Sequence, residues 1–332
     1  MSSAYSDAGR PRGRSALCVL ALCCVALAAA LRAGAAEPPR FKVPSEDDAP
    51  LVLVVYGDTR FTHRSHVVNA IARRALVERI ATEKPAAILI GGDLVYEGRD
   101  PGDYQTFRSE TMAWSTAHIP VFPALGNHEL RGCKAADVQP CLENWWSTFD
   151  DLPLRPHRWY SVAIGSNMLA LVLDSGAPLK PGSEQRSWFE AQIAGADDGV
   201  KFILIVLHYP PVRDPFFPRG LDEKEVARYL ARHAASLRAK VLVVGSHVHN
   251  YERYFRDGVN YVVSGGGGAK AVPAPRMFGE ESHLRTAVNF HYLRLTLEKE
   301  RLAVSMVRYD AGKVEGPQVW SEPDRFEIRA RD

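Results

Sequence analysis

Residues 51–58 read Leu-Val-Leu-Val-Val-Tyr-Gly-Asp, an apolar run of strand length that ends in a glycine and a carboxylate. Short apolar runs that are bounded by Gly or polar residues are typical of buried strands. In α/β sheets, ligands bind at the carboxyl ends of strands, and a glycine there lets the backbone turn sharply. Taken alone, an Asp that follows a strand, as Asp58 does, is more often a turn former or a helix N-cap than a ligand.

The same pattern recurs four more times along the chain. The other strand candidates are residues 86–90, 119–125, 202–207 and 241–244. They lead into Gly-Gly-Asp at 91–93, Gly-Asn-His-Glu at 126–129, His208, and Gly-Ser-His-Val-His at 245–249. The two-residue spacing of His247 and His249 points both rings to one side of an extended chain. Five such strand ends together predict that these polar side chains converge.

The residue types predict a metal centre. The candidate ligands are Asp58, Asp93, Asn127, His208, His247 and His249. Oxygen and imidazole donors suit Mn, Fe and Zn, and six donors exceed the three that one catalytic zinc takes from protein. They suit two ions roughly 3.5–4 Å apart that share a carboxylate and a hydroxide. Such a pair of ions favours phosphoester hydrolysis, because it activates water and binds both the attacking and the leaving oxygen.

These motifs, in this order, resemble those of the calcineurin-like metallophosphoesterase superfamily, and the resemblance runs from Leu51 to Gly268. Within it, Gly-Asp-Leu-Val-Tyr at 92–96 and His-Val-His-Asn-Tyr-Glu-Arg at 247–253 are most similar to segments of purple acid phosphatases. The resemblance implies an α/β fold class: a four-layer α/β/β/α sandwich of two mixed β-sheets flanked by helices.

The resemblance also implies a role for each matched residue. Asp93 would bridge two metal ions, Asp58 and His249 would hold the first ion, and the second would be held by Asn127, His208 and His247. His128 would lie beside the phosphate as a general acid or hydrogen-bond donor. Glu129 would orient His128 or serve the structure alone. Tyr96 would be a phenolate ligand, which implies Fe together with a second Fe, Zn or Mn.

The first motif departs from the family pattern. The superfamily often has Asp-x-His there and purple acid phosphatases have Asp-x-Gly, whereas this chain has Asp58-Thr59-Arg60. We expect Arg60 either to bind the substrate phosphate through its guanidinium fork or to be a structural partner of a surface acid. His66 or His63 is the alternative ligand that would complete the first metal site if Tyr96 does not.

Residues 1–36 have the composition of a secretory signal. Three arginines precede an apolar run at 15–31, and Ala33-Gly34-Ala35 supplies small residues before a polar stretch. The run is shorter than the roughly 20 residues of a spanning helix, so no transmembrane segment is expected after signal cleavage. A lipid anchor at Cys23 is disfavoured because Leu22 precedes it. We expect a secreted or periplasmic protein with a linker at 37–49 and one catalytic domain at 50–332.

Charge and cysteine usage agree with export. The formal net charge is +2, and residues 1–36 contribute four Arg and one Asp, so the remainder is close to −1. That balance argues against a nucleic-acid partner, which needs clustered Lys and Arg. Three of the five cysteines lie in the signal. The remaining pair, Cys133 and Cys141, is predicted to form a disulfide.

The rest of the sequence predicts helices, hairpins and two long loops. Helical patterns cover 67–83, 103–117, 184–194 and 223–237, and antiparallel strands are predicted at 159–164, 168–173, 261–263, 292–297 and 302–307. The loops at 210–221 and 269–285 are long enough to shape a substrate site.

The predicted function is hydrolysis of a small-molecule phosphoester. The leading hypothesis is a phosphomonoesterase of acid-phosphatase type that uses a metal-bound hydroxide. The alternatives are a phosphodiesterase acting on cyclic nucleotides or lipid head groups, and a non-catalytic binding protein on the same scaffold. The last is disfavoured because every predicted ligand position is intact.

Overall fold

Two mixed β-sheets form the framework of the protein. The computed structural model describes residues 37–45, 49–64, 66–214, 222–272, 290–310 and 318–331. In chain order the strands are β1 (Arg40–Val43), β2 (Leu51–Tyr56), β3 (Ala87–Ile90), β4 (Val121–Pro123), β5 (Tyr160–Ile164), β6 (Met168–Val172), β7 (Phe202–Leu207), β8 (Lys240–Gly245), β9 (Tyr251–Arg256), β10 (Val259–Ser264), β11 (Phe290–Leu297), β12 (Arg301–Asp310) and β13 (Val319–Arg329). The six-stranded sheet has the order β13-β12-β11-β2-β3-β4, and the seven-stranded sheet has the order β1-β5-β6-β7-β8-β10-β9.

Six helices lie among the described residues. They are α1 (Ala70–Glu83), α2 (Pro101–Glu110), α3 (Met112–Thr116), α4 (Gln139–Thr148), α5 (Glu184–Ala194) and α6 (Lys224–His233). Helix α1 begins after Asn69, whose side chain accepts a hydrogen bond from the Ala72 N–H, and it ends at Lys84 in the left-handed conformation. Such side-chain capping satisfies N–H groups that the first turn leaves unpaired. None of the described helices is long and apolar enough to cross a membrane.

The seven-stranded sheet is buried on both faces, and this creates the layers. Along β7, Phe202, Leu204 and Val206 belong to the core shared with the six-stranded sheet. The alternate residues Ile203, Ile205 and Leu207 belong to a second core. The second core also contains Phe189 of α5 and Leu230 of α6. Since successive strand residues point to opposite faces, one strand packs against a sheet on one side and helices on the other. The fold is therefore the predicted α/β sandwich of two sheets flanked by helices.

Parallel pairing brings the candidate ligands together. Strands β2 and β3 pair in parallel, and so do β3 and β4, so the segments after all three strands lie at one edge of the six-stranded sheet. Strands β7 and β8 are likewise parallel in the other sheet. The ligand-bearing segments thus follow strand ends that each sheet places side by side.

Some elements differ from the sequence expectation. Within the expected linker at 37–49, β1 forms a strand that pairs in parallel with β5, and it buries Val43. The expected helix at 103–117 is interrupted at Thr111, whose N–H and hydroxyl both donate to the Phe107 carbonyl. Helix α4 and strands β9 and β13 were not predicted. The predicted signal at 1–36 lies outside the described residues, as do positions 215–221 and 273–285 of the two predicted loops.

Candidate metal centre

The first group of converging side chains consists of Asp58, Asp93 and His249. One potential ligand atom from each lies within 4.8 Å of the other two. Both carboxylate oxygens of Asp58 are buried and have no hydrogen-bond partner among the described residues. The Nδ1 of His249 donates to the Lys270 carbonyl at 2.9 Å, which leaves the lone pair of Nε2 facing Asp58 Oδ1 at 3.5 Å. Two carboxylates and an imidazole lone pair therefore share a space that only a cation or protons can neutralise.

The second group is arranged around the His208 ring. Its Nδ1 donates to the Gly91 carbonyl at 3.0 Å, so its Nε2 presents a lone pair. That Nε2 lies 2.9 Å from Asn127 Oδ1 and 3.2 Å from His247 Nδ1. It is also 3.3 Å from Asp93 Oδ1. Hydrogen-bond acceptors approach one another in this way when a metal ion lies between them in the loaded protein.

The imidazoles of both groups favour the neutral form that a metal needs. Burial lowers the pKa of His208 below its usual range. Burial, reinforced by the charge of His208, lowers the pKa of His247 to about 3. Burial and the positive charge of Arg60 lower the pKa of His249 to about 4. Neutral imidazole is the ligand form, so these rings are ready to bind a metal without first losing a proton.

Asp93 belongs to both groups, and its charge is stabilised differently from that of Asp58. Burial alone would raise the pKa of Asp93, but the His208 and His128 rings and the Arg60 guanidinium outweigh it and lower the pKa. The pKa of Asp58 is raised well above its usual range by burial and by the charge of Asp93. An added cation would reverse the shift at Asp58, because it favours the charged form of a carboxylate.

Glu129 connects two of the ligand-bearing loops. Its buried carboxylate accepts hydrogen bonds from the N–H groups of Asp93 at 2.9 Å, Gly126 at 2.6 Å and Val95 at 3.2 Å. Burial and the neighbouring charge of Asp93 raise its pKa to about 8. Of the two roles expected for Glu129, the structural one matches these contacts, since the His128 ring is oriented by a different group.

That group is the Tyr96 carbonyl, which accepts a hydrogen bond from His128 Nδ1 at 2.5 Å. A carbonyl can only accept, so the proton of the neutral ring lies on Nδ1 and Nε2 faces the metal centre. His128 Nε2 is 3.9 Å from Asp93 Oδ2. The main chain of His128 also donates to Asp93 Oδ1 at 2.9 Å. His128 thus lies at the edge of the ligand cluster.

Three of the candidate ligands have left-handed backbone conformations. The φ angles of Asp58, Asp93 and His247 are 57°, 52° and 66°, and Arg60 has a φ of 47°. Residues other than glycine rarely adopt this conformation because it costs free energy, and it persists only where the surrounding structure enforces it. Strands β2, β3 and β8 are thus each followed by a strained residue whose side chain enters the cluster.

Arg60 contacts a member of both groups, and Tyr96 lies beside His128. Arg60 Nη2 donates to Asp93 Oδ2 at 3.0 Å, while its Nε is buried without a hydrogen-bond partner among the described residues. The Tyr96 ring lies 5.4 Å from the His128 ring, measured between centroids.

The structure does not bring His63 or His66 into the group of Asp58, Asp93 and His249. His63 Nδ1 lies 3.2 Å from Asp103 Oδ1, in a separate cluster with Asp100. Arg64 already supplies a positive charge there, 2.8 Å from Asp100 Oδ2. His66 is exposed.

Two further residues of the site were not found in the sequence. The half-buried Tyr209 packs its ring against His208 and His247, at centroid distances of 5.1 Å and 4.5 Å. Its position directly after His208 was the available signal. Ser246 is buried where the sheets meet, and a Cβ added at Gly57 would lie 2.6 Å from its Cβ. No sequence pattern marked that contact.

The predicted disulfide is confirmed, because Cys133 and Cys141 are bonded with a Cα–Cα distance of 6.2 Å. It lies just after the Gly-Asn-His-Glu segment and links that turn to α4.

The chain matches one protein family by sequence and several solved structures by fold. The family model described as calcineurin-like phosphoesterase matches residues 47–251. Purple acid phosphatase PPD1 from yellow lupin (Lupinus luteus) seeds superposes with a TM-score of 0.68 and 17% identity, covering 86% of this chain and 55% of that one. This chain therefore spans about half the length of the lupin enzyme. No curated protein sequence matches this chain.

Two other solved structures share the fold. GAP50, described as the anchor in the inner membrane complex of Plasmodium, has a TM-score of 0.57 and 17% identity over 85% of this chain and 90% of that one. A dimetal phosphatase from Danio rerio has a TM-score of 0.54 and 12% identity over 85% of this chain and 99% of that one. At these identities the likeness concerns the fold.

Proposed function

From the premise that the chain belongs to the calcineurin-like phosphoesterase family and is a metallophosphoesterase, we propose that it is a phosphomonoesterase of the acid-phosphatase type. The observation that carries the proposal is the convergence of unprotonated acceptors on Asp93. His208 Nε2, Asn127 Oδ1 and Asp93 Oδ1 face one another with no proton assigned between them. On its other side, Asp93 groups with Asp58 and His249. One carboxylate between two ligand sets is the arrangement that a pair of ions requires.

Two metal ions fit the residues present. Asp58, Asp93 and His249 would hold the first ion, and Asp93, Asn127, His208 and His247 the second. The buried, unpartnered oxygens of Asp58 support this assignment, because a charged carboxylate without a partner is costly to bury. When bound, such ions lower the pKa of water to provide a nucleophile and neutralise the charge of the phosphate.

His128 and Arg60 would act on the substrate. His128 Nε2 is the ring atom that faces the site, and in its protonated form it would donate to the leaving oxygen of the ester. Arg60 uses one nitrogen for Asp93, and its buried Nε has no hydrogen-bond partner among the described residues. A phosphate oxygen would satisfy that donor, because guanidinium groups bind phosphate through several N–H groups.

The proposal is tested with two esters of the same leaving group. We expect metal-reconstituted protein to hydrolyse p-nitrophenyl phosphate with a higher kcat/KM than bis(p-nitrophenyl) phosphate. A preference for the diester would overturn the monoesterase proposal in favour of a phosphodiesterase. Full metal occupancy without turnover of either ester would indicate a binding protein.

For Tyr96 we propose a phenolate bond to a ferric ion in the first site. A highly charged ion is needed to hold phenolate at neutral pH, since the intrinsic pKa of tyrosine is about 10. The purified protein should then be violet from charge transfer, and Tyr96→Phe should bleach it. The visible spectrum and metal analysis of the same sample decide the point. A colourless, iron-free and active protein would rule the phenolate out.

We also propose that the protein is exported, on the basis of residues 1–36 and the Cys133–Cys141 disulfide. Protein recovered from the periplasm or the medium should begin near Glu37 when its amino terminus is sequenced. Recovery of the uncleaved chain from the cytoplasm alone would contradict this.

A further inference from the structure

Arg131 lies one ring away from His128. Its guanidinium carbon is 4.3 Å from the centre of the Tyr96 ring, and that ring is 5.4 Å from the His128 ring. The guanidinium therefore lies within electrostatic reach of the residue that faces the leaving oxygen.

Arg131 differs from the other arginine beside Tyr96 in having no acid to neutralise it. Arg64 approaches the same ring at 5.8 Å, but it pairs with Glu97 at 3.0 Å and Asp100 at 2.8 Å. Among the described residues, no carboxylate pairs with Arg131, and its side chain is exposed. Most of the arginines in this protein that stack on aromatic rings are also held by a carboxylate, as Arg155 over Trp146 is held by Glu143.

The backbone around Arg131 is fixed on both sides. Its N–H donates to the His128 carbonyl at 3.1 Å, and its own carbonyl accepts from the Arg99 N–H at 3.0 Å. The disulfide at Cys133 closes the turn two residues later. The fixed backbone and the stack on Tyr96 both limit where the guanidinium can lie, which reduces the ordering cost of binding an anion.

We propose that Arg131 forms a second anion subsite for the alcohol portion of the substrate. The inference rests on the proposed phosphomonoesterase function. His128 Nε2 faces the metal centre, and Arg131 stacks on the Tyr96 ring that borders the His128 ring. The substrate class is then a phosphate monoester whose alcohol carries a further anionic group, either a second phosphate or a carboxylate. Stacking on Tyr96 occupies one face of the guanidinium and leaves its N–H edge free to bind such a group.

The test compares three esters with the same three-carbon chain. They are propyl phosphate, 1,3-propanediol bisphosphate and 3-(phosphonooxy)propanoate, and metal-reconstituted protein is assayed for kcat/KM on each. We expect the wild-type chain to have a higher kcat/KM for at least one of the two esters that carry a second anionic group than for propyl phosphate. In Arg131→Gln that preference should fall about tenfold, which is the effect of losing one charge-assisted hydrogen bond. Which ester loses more identifies the second group as phosphate or carboxylate.

The matched control is Arg155→Gln. Arg155 also stacks on an aromatic ring, but it is paired with Glu143 and has no contact with the metal centre in the described structure. This variant should leave the preference unchanged. Arg131→Lys should retain part of it, because lysine keeps the charge but loses the planar fork.

A binding measurement separates this inference from the proposed function. Calorimetric titration with 1,3-propanediphosphonate and propylphosphonate reports the subsite even if the chain hydrolyses none of the three esters. Weaker binding of the diphosphonate alone in Arg131→Gln supports the subsite. Equal loss for both phosphonates, or no wild-type preference for the diphosphonate, overturns it.

Discussion

The two sheets supply different ligand chemistry to the same centre. The six-stranded sheet delivers oxygen donors, since Asp58, Asp93 and Asn127 follow β2, β3 and β4. The seven-stranded sheet delivers nitrogen donors, His208 after β7 and the His247–His249 pair after β8. Neither sheet alone carries a complete set for either proposed ion.

The two kinds of ligand are also held in opposite ways. On the oxygen side, backbone N–H groups are bound by Glu129, so the loops that carry Asp93 and Asn127 are tied together. On the nitrogen side, two of the three rings donate their outer N–H to a backbone carbonyl, His208 to that of Gly91 and His249 to that of Lys270. Gly91 belongs to the oxygen side, so the bond to His208 crosses between the sheets. The centre therefore forms only when the two sheets are packed.

The largest effects should come from removing one ligand on each side. Asp93→Asn removes the carboxylate common to both groups, whereas His208→Ala removes a ligand of one group. Both should lower phosphoester hydrolysis by at least about 100-fold, since even residues behind the ligands cost 10–100-fold. Metal analysis should find two ions in the wild-type chain, close to one in His208→Ala and close to none in Asp93→Asn.

Equal metal content in the two variants would contradict the shared role of Asp93. Both variants must also be shown to be folded, so their far-ultraviolet circular dichroism should match that of the wild-type chain.

A smaller effect is expected from Glu129→Gln. Above a pH of about 8, where Glu129 is ionised, its two oxygens accept from three N–H groups, whereas the amide of Gln presents only one acceptor oxygen, so at least one buried N–H loses its partner. We expect a loss of about 1–3 kcal/mol in the free energy of unfolding. Activity should fall about 10–100-fold because the Asp93 loop is no longer fixed. Denaturant unfolding and kcat measure the two effects, and an unchanged kcat would show that the connection between the loops is dispensable.

The smallest effect concerns the packing between the sheets. In Gly57→Ala the new methyl would meet Ser246, whose Cβ is 2.6 Å from its position, so the sheets must shift. Overpacking of this kind costs about 1–3 kcal/mol, which lowers the Tm by several degrees. Gly199→Ala is the control, because its nearest neighbour is Ser166 O at an ordinary 3.5 Å.

Adding Ser246→Gly to Gly57→Ala removes the clashing atoms and should recover part of the Tm. If the losses in Tm of the two single variants, Gly57→Ala and Ser246→Gly, simply add in the double variant, the two positions are not coupled across the sheets.

The strands and the convergence of polar side chains could be predicted because burial and chemistry repeat together along the sequence. The strand predicted at 51–56 is observed without change, as is the one at 202–207, because continuous apolar runs have no other use in an α/β domain. The same runs pointed to the polar residues that follow them, and the structure brings Asp58, Asp93 and His249 together.

The missed parts lack such a repeated pattern. Strand β13 contains Pro323, which interrupts a strand pattern and is tolerated because β13 is an edge strand with a register shift opposite it. Strand β9 reads Tyr-Glu-Arg-Tyr-Phe-Arg and is half exposed, so its composition resembles that of a loop. The position of Arg131 over Tyr96 depends on the geometry of a turn and a disulfide, which the spacing of residues in the sequence does not predict.

The strained ends of β2, β3 and β8 have a consequence for how long the protein persists after synthesis. Left-handed conformations at Asp58, Asp93 and His247 each cost on the order of 1–3 kcal/mol, and the metal-free chain also buries the unpartnered oxygens of Asp58. Metal binding to the folded state alone offsets that cost in proportion to the logarithm of metal concentration. Metal starvation thus enlarges the unfolded fraction, which proteases degrade. The abundance of the protein would then follow the metal supply of its compartment even at constant synthesis.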